Sequence, residues 1–171
     1  IAFMHFDDMK CDAVVLETGL GGQFDSTNII KDPVVSIITT IGYDHMAILG
    51  DTLDKIAFEK AGIIKQSRQV VPDGGIDCKA FTVIEKKAAE QNSELTVVDF
   101  DNIKNIGIIE GGYTFDYKRL INQKINLLGK HQIKNACVAI EAAGVLNENG
   151  YELNNEKIRE GLENTRWPGR I

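Results

Sequence analysis

The sequence predicts an α/β fold, a mainly parallel sheet flanked by helices with a small antiparallel β insertion. Short continuous apolar runs such as VVSIITTI at 34–41 are typical of strands that are buried on both faces. Segments with helical periodicity separate these runs, which is the order expected of parallel strands in a layered domain. Residues 106–128 instead alternate between apolar and polar side chains around a Glu110-Gly111-Gly112 turn, so we predict antiparallel strands there.

Each further element is assigned from its local pattern. Residues 1–9 have the pattern of the end of a helix. Asp51 is the predicted N-cap of a helix that ends at Gly62, and Asp54 adds a second carboxylate where the helix dipole favours it. The remaining assignments are strands at 12–17, 34–41, 69–71 and 95–98, and helices at 77–91, from about His131, and from a cap at Asn154 or Asn155.

Composition and charge limit the classes of function. With 171 residues, 43% of them hydrophobic, the chain can form one domain with a sizeable core. It has no apolar run of the roughly 20 residues that cross a bilayer and no signal-peptide pattern, so we expect a soluble, non-secreted protein. The net charge of −6, without a lysine or arginine stripe, argues against a general nucleic-acid binder but allows a local phosphate site. The three cysteines form no CxxC pair and indicate free thiols in a reducing compartment.

Glu17 and His45 each lie at or just beyond the C-terminal end of a predicted parallel strand. Ligands bind at that edge of open α/β sheets. A carboxylate oxygen and an imidazole nitrogen together can hold a divalent cation, and an oxygen-rich site suits magnesium. The alternative is a glutamate that caps a helix and a histidine that is merely hydrogen-bonded. Spacing alone favours this structural alternative.

Lys60 is the exception on the apolar side of the predicted helix. Burial would favour its neutral, nucleophilic amine. That amine could react with carbon dioxide, and the resulting carbamate would reverse the charge and make the lysine a metal ligand. A protonated Lys60 could instead bind phosphate. The ordinary explanations are that it snorkels to solvent along its alkyl stem or pairs with a buried carboxylate. On the residues alone, snorkelling is preferred.

A glycine-rich loop, TGLGGQFDSTN at 18–28, connects the first two predicted strands. Its G-x-G-G pattern lacks the spacing of a dinucleotide-binding fingerprint, and the phosphate-loop pattern G-x-x-x-x-G-K-[ST] is absent throughout. We therefore interpret the glycines as a requirement of loop geometry. Asp25-Ser26-Thr27-Asn28 consists of side chains that form turns or cap helices, so its default role is also structural.

Four segments taken together resemble the signature segments of one family. In chain order they are LETGLGGQFDSTN at 16–28, TTIGYDHMAILGDTLDKIAFEKAGIIK at 39–65, LLGKHQIKNA at 127–136 and WPGR at 167–170. They resemble folylpolyglutamate synthase of the Mur ligase superfamily, and the bifunctional bacterial forms that also act as dihydrofolate synthase are equally compatible. The similarity covers nearly the whole chain, and four motifs in the right order are far more specific than any one of them.

The resemblance implies an ATP-dependent acid–amino-acid ligase of the cytoplasm. ATP phosphorylates a substrate carboxylate to an acyl phosphate, which the amino group of glutamate attacks to form an amide. The acceptor is a folate, or dihydropteroate in the bifunctional forms. Such chemistry requires cations that neutralise the transferring phosphoryl group and groups that orient the carboxylate and the amine. Members of this family are typically monomers that act on small molecules, so neither nucleic acid nor a membrane is an expected partner.

The resemblance also assigns roles to individual residues. It implies Mg²⁺ bound by Glu17 and a second Mg²⁺ bound by His45, with Lys60 carbamylated by CO₂ to support the second ion. These three residues are thus the implied catalytic set. The implied ATP contacts are Asn135 and Arg170, and the implied contacts to a pteroate substrate are Phe24, Asp25 and Ser26.

By the same resemblance, residues 1–171 are expected to be part of the central ATP-binding domain. A phosphate-binding loop is expected upstream and a glutamate-binding domain downstream, so we expect this stretch alone to lack ligase activity. Two alternatives are a non-catalytic α/β binding module and a cell-wall Mur ligase that acts on an amino-sugar peptide. The joint presence of Glu17, His45 and Lys60 argues against the first, and the DSTN, HQIKNA and WPGR segments argue against the second.

Overall fold

A computed structural model describes residues 1–168 as helices packed on a short parallel sheet and on a separate three-stranded antiparallel sheet. The helices are α1 (Ala2–Asp8), α2 (Met46–Leu49), α3 (Leu53–Ala61), α4 (Cys78–Glu90), α5 (His131–Glu148) and α6 (Asn155–Asn164). The strands are β1 (Val35–Ile38), β2 (Gln69–Pro72), β3 (Ile103–Ile109), β4 (Gly112–Tyr117) and β5 (Leu120–Ile125). The predicted fold class is confirmed.

The parallel sheet is centred on β2. Strand β1 pairs with it in parallel, with Val35 opposite Gln69. On its other side, the Thr96 N–H donates to the Val70 carbonyl (2.9 Å) and the Val98 N–H donates to the Pro72 carbonyl (3.1 Å). Residues 95–98 therefore extend the sheet in parallel, as predicted, although only the Val70–Leu95 pair forms a formal bridge.

Both faces of β2 are buried, which explains its continuous apolar sequence. Val70 packs into a cluster with residues of α3 and α4, such as Ile56 and Ile84. Its neighbour Val71 points the other way, into a cluster that includes Cys137 of α5. Both valines are fully buried. Because successive side chains of a strand point to opposite faces, α3 and α4 cover one face of the sheet and α5 covers the other.

The antiparallel insertion is attached to α5 by a buried polar contact. The Tyr117 hydroxyl donates to the Glu141 carboxylate (2.5 Å), and the Lys118 ammonium lies 2.6 Å from the same oxygen. Burial, followed by the bond to Glu141, raises the pKa of Tyr117. Burial also raises the pKa of the Cys137 thiol to about 12. The contact joins strand β4 to the helix that covers the parallel sheet.

Two predicted elements differ from the structure. Residues 12–17 form no strand, and Val15 in this segment is 96% exposed. An apolar run becomes a strand only where a neighbouring strand satisfies its backbone groups, and within residues 1–168 this segment has none. The predicted N-cap Asp51 is also wrong, since α3 is capped at Thr52. Asp51 instead binds Lys55 at 2.8 Å.

The other predicted boundaries are close to the observed ones. Helix α4 begins after Asp77, whose carboxylate accepts the Lys79 N–H (2.9 Å). Helix α6 begins after Asn154, whose side-chain oxygen accepts the Lys157 N–H (2.9 Å). In the part of the chain that the structure describes, no helix is both long and apolar enough to span a membrane.

Candidate functional site

The C-terminal edge of the parallel sheet carries a buried carboxylate, Asp73. Its backbone N–H donates to the carbonyl of Ile38, the last residue of β1 (2.8 Å). One carboxylate oxygen accepts the Gly75 N–H (2.7 Å), and the other lies 3.4 Å from the Thr40 hydroxyl. Asp73 is 4% exposed. These bonds connect the two loops that follow β1 and β2. They fix the positions of the two loops relative to each other at this edge of the sheet.

Helix α5 begins at the same edge. The Lys134 ammonium, in its first turn, lies 4.8 Å from the centre of the Phe100 ring and close to Gly75. The other end of α5 reaches the opposite edge, where Glu148 accepts a bond from the Gln69 side chain (2.9 Å). Asn135, a predicted ATP contact, is therefore at the C-terminal edge too. It is exposed, and its amide donates to the Gln132 side-chain oxygen (2.9 Å).

His45 lies in the loop after β1, with its side chain 56% exposed. Its backbone is left-handed (φ 48°, ψ 36°), a conformation that non-glycine residues seldom adopt. An Asp44 carboxylate oxygen accepts the His45 N–H (2.8 Å), and the other lies 3.7 Å from the imidazole Nε2. Asp44 therefore holds the turn while the imidazole faces solvent. This is the position predicted for a ligand at the sheet edge.

The glycine-rich loop packs against the C-terminal turn of α3. A Cβ atom at Gly22 would lie 2.8 Å from the carbonyl oxygens of both Glu59 and Lys60. The Gln23 N–H donates to the Glu59 carbonyl (2.8 Å), and Gly62 lies directly against Gln23. Close approach of one backbone to another is what a glycine permits. For Gly22, the interpretation as a requirement of loop geometry is confirmed.

Asp25 organises the loop. One carboxylate oxygen accepts the backbone N–H groups of Gly19 (2.9 Å) and Leu20 (3.0 Å). The other accepts the N–H (2.9 Å) and the hydroxyl (2.6 Å) of Thr27. The bonds from Thr27 are the main reason that the pKa of Asp25 falls to about 2. The structural role of this turn is thus confirmed, and the Asp25 oxygens are engaged within the loop.

The other residues of the predicted site are accessible. Glu17, just before the loop, is exposed, as are Phe24 (84%) and Ser26 within it. Lys60 is half-buried in the last turn of α3. Partial exposure of this kind agrees with a snorkelling side chain. Arg170 lies outside the described residues.

The residues present supply enough ligands for a magnesium site only if Lys60 is modified to a carbamate. Across residues 1–168, no group of three or more His, Cys, Asp and Glu side chains could hold a metal ion. Glu17 and His45 supply one oxygen and one nitrogen from exposed side chains. An ammonium at Lys60 cannot ligate a cation, whereas a carbamate would add a carboxylate at this position. That donor set suits a magnesium ion, which usually keeps several waters.

Sequence reasoning missed Asp73, Thr40 and Lys134. Asp73 directly follows the buried strand QVVP and precedes two glycines. A carboxylate at the end of a buried strand is a signal that could have identified it. Thr40 and Lys134 carry no such signal. Their positions near Asp73 and Gly75 depend on the tertiary packing of β1 and α5 against β2.

Comparison with known proteins gives one consistent family. The Mur ligase middle domain matches residues 2–143. A dihydrofolate synthase/folylpolyglutamate synthase of Bacillus subtilis is 40% identical over 177 aligned residues, covering 99% of this chain and 41% of the relative. A folylpolyglutamate synthase of Arabidopsis thaliana is 41% identical over 145 aligned residues, 85% of this chain and 23% of the relative.

Solved structures agree with this family. An FPGS–AMPPCP–folate complex aligns with a TM-score of 0.93 and 34% identity, over 99% of this chain and 42% of that one. The folylpolyglutamate synthase of Thermotoga maritima aligns with a TM-score of 0.82 and 35% identity, over 99% of this chain and 38% of that one. This chain therefore spans less than half the length of the relatives that it matches.

Proposed function

Because this chain belongs to the Mur ligase middle-domain family, we propose that the protein containing it is an ATP-dependent ligase that adds glutamate to folate. The observation that carries this proposal is the alignment of 99% of the chain with an FPGS–AMPPCP–folate complex at a TM-score of 0.93. The Bacillus relative, which bears both synthase names, adds dihydropteroate as a second candidate acceptor.

In the proposed reaction, a carboxylate oxygen of the folate attacks the γ-phosphorus of ATP, and ADP leaves. The resulting acyl phosphate is attacked at its carbonyl carbon by the amine of glutamate. Phosphate leaves, the amine loses a proton, and an amide remains. The chain's task is to hold these groups in line and to offset the negative charge of the phosphoryl group.

We assign two Mg²⁺ positions, one to Glu17 and the second to His45 and Lys60. Bound Mg²⁺ would neutralise charge on the transferring phosphoryl group. Glu17 would hold one ion from the loop after the first apolar run, and His45 would hold the other from the loop after β1. Lys60, as a carbamate, would support the second ion from the end of α3, whose backbone contacts the loop after Glu17. The exposed side chains of Glu17 and His45 support this assignment.

We assign nucleotide contacts to Asn135 and Arg170 and pteroate contacts to Phe24 and Ser26. Asn135 lies near the start of α5, at the sheet edge that the cation site would share. Phe24, 84% exposed, could stack on an aromatic ring of the substrate. Asp25, also assigned to substrate by family resemblance, is engaged in holding the loop, so its proposed effect on substrate is through Phe24 and Ser26.

The proposal also covers the cellular location, the oligomeric state and the activity of residues 1–171 alone. We assign the enzyme to the cytoplasm as a monomer acting on small molecules. We also propose that residues 1–171 alone do not catalyse ligation, because a phosphate-binding loop and a glutamate-binding domain would come from other parts of the protein.

The experiment is product identification with the complete protein. ATP, Mg²⁺ and glutamate are supplied with a reduced folate, with dihydropteroate, or with an amino-sugar peptide, and products are identified by mass spectrometry. The proposal predicts a glutamylated folate, with dihydrofolate from dihydropteroate if the enzyme is bifunctional. Product from the amino-sugar peptide alone would indicate a cell-wall ligase, and no product from any acceptor would indicate a binding module.

A further inference from the structure

The side chain of Asn28 joins the glycine-rich loop to the end of α3. Its amide nitrogen donates to the Gln23 carbonyl within the loop (3.0 Å) and to the Gly62 carbonyl just after the helix (3.1 Å). Asparagine has two N–H donors on one nitrogen, so both are used. The carbonyl of Asn28 lies 3.4 Å from the Lys65 ammonium. Asn28 is thus bonded to both sides of one junction.

This junction has no other side-chain amide bridging it among residues 1–168. The other contacts across the junction are the Gln23 N–H to the Glu59 carbonyl, Gly22 against the carbonyls of Glu59 and Lys60 and against the Ile63 side chain, and the Lys65 ammonium near the Asn28 carbonyl. The last carbonyls of a helix have no partner within the helix. Asn28 satisfies one such carbonyl, at Gly62, and so ties the position of the loop to the end of the helix.

The two elements joined here carry two of the proposed cation-site residues. The loop begins immediately after Glu17, and the helix turn includes Lys60. A shift of the loop on the helix would change the separation of these two side chains without altering either of them. Groups that orient ligands in this way typically affect metal affinity or activity when they are replaced.

From this geometry we propose that Asn28 is a positioning residue, which sets the place of Glu17 relative to Lys60 through its bridge between Gln23 and Gly62. This inference rests on the proposed function. A positioning role for Asn28 differs from a merely structural role in one measurable respect. A structural bridge would affect stability alone, whereas a positioning bridge also affects the Mg²⁺ dependence of the protein.

The test uses Asn28→Asp in the complete protein, with Asn126→Asp as the matched control. Asp replaces the two N–H donors of Asn28 with an acceptor that faces two carbonyls. Asn126 makes a comparable bond, from its amide to the Glu163 carbonyl (2.7 Å), between β5 and α6. Asn28→Ser, which retains one donor, gives a milder variant if Asn28→Asp does not fold. Mg²⁺ affinity is measured by calorimetry, the Mg²⁺ dependence of turnover by kinetics, and stability by thermal unfolding.

We expect Asn28→Asp to weaken Mg²⁺ binding, or to lower turnover at saturating substrate, by about 10- to 100-fold, with Asn28→Ser intermediate. Asn126→Asp should lower the unfolding temperature while leaving the Mg²⁺ dependence unchanged. The inference is overturned if the Asn28 variants lose stability but keep the wild-type Mg²⁺ affinity and turnover.

If wild-type protein binds Mg²⁺ but does not ligate glutamate, the proposed function fails and the calorimetry alone decides the role of Asn28. If wild-type protein binds no Mg²⁺, both fail.

Discussion

Gly22 and Lys60 meet backbone to backbone, such that a Cβ atom at residue 22 would lie 2.8 Å from the Lys60 carbonyl oxygen. The glycine-rich loop and the helix turn of Lys60 are therefore one packed unit. This contact links a sequence motif whose role was ambiguous to the lysine for which the family resemblance implies a chemical role.

Gly22→Ala should destabilise the protein. The new methyl group would overlap two carbonyl oxygens and lie 3.0 Å from Ile63 Cγ2. Overpacking of this kind costs about 1–3 kcal/mol, which chemical denaturation can measure. The matched control is Gly144→Ala, at an exposed helical position in α5 with no atom within 4 Å of the new carbon. That change should instead raise stability by up to about 1 kcal/mol. Equal effects of the two changes would contradict the described contact.

Asp25→Asn should make stability less dependent on acid pH. The pKa of Asp25 is lowered from 3.8 to about 2 by bonds from Thr27, Leu20 and Gly19. A carboxyl group with a lowered pKa contributes stability that is present above its unfolded pKa and is lost as pH falls through its folded pKa. The difference in unfolding free energy between wild type and variant should therefore be constant near neutral pH and shrink between about pH 4 and pH 2. Denaturation at a series of pH values measures it, and a difference that stays constant to pH 2 would exclude this role.

The three thiols should differ in reactivity. Cys11 and Cys78 are exposed, whereas Cys137 is fully buried and burial raises its pKa to about 12. Only the thiolate form attacks alkylating reagents. In native protein at mildly alkaline pH, iodoacetamide should label Cys11 and Cys78 but not Cys137, and all three in denaturant. Mass spectrometry of peptides identifies the labelled sites. Rapid native labelling of Cys137 would contradict the packing of α5 on the sheet.

Lys60→Ala in the complete protein should lower turnover severely, because it removes the group that is proposed to become a carbamate. Lys60 is half-buried at the margin of α3, so the fold should survive the change. Short-chain carboxylic acids should restore part of the activity by supplying the missing carboxylate. Steady-state kinetics with and without such acids measures both effects. Unchanged kinetics in the variant would remove Lys60 from the mechanism, and a loss without rescue would point to a role other than the carbamate.

Much of the fold follows from local patterns in the sequence. Helix α4 has a strong apolar face and the Asp77 cap, and β2 has a continuous apolar run, so both were predicted nearly to the residue. The run at 12–17 has the same apolar character but no strand partner within residues 1–168. Strand formation depends on a neighbour, and a periodicity does not reveal whether one is present.

The site was less predictable for a similar reason. His45 follows an apolar run that forms β1, so its place beyond a strand end could be expected, whereas the apolar run before Glu17 forms no strand. The bridge made by Asn28 spans 34 residues to Gly62, and its geometry exists only after the loop has packed on α3. The Asp73 carboxylate depends on the meeting of two loops in the same way. Such contacts are tertiary, and they carry no local sequence signal.

We propose that the protein containing this chain ligates glutamate with the help of a cation bound by Glu17. The most direct test of this proposal is glutamate-dependent phosphate release by the complete protein with ATP, Mg²⁺ and a reduced folate, measured for wild type, Glu17→Gln and a remote control, Glu94→Gln. We predict release by wild type and by Glu94→Gln that requires both folate and glutamate, and a severe loss in Glu17→Gln. Release that is independent of glutamate, or equal in all three proteins, would contradict the proposal.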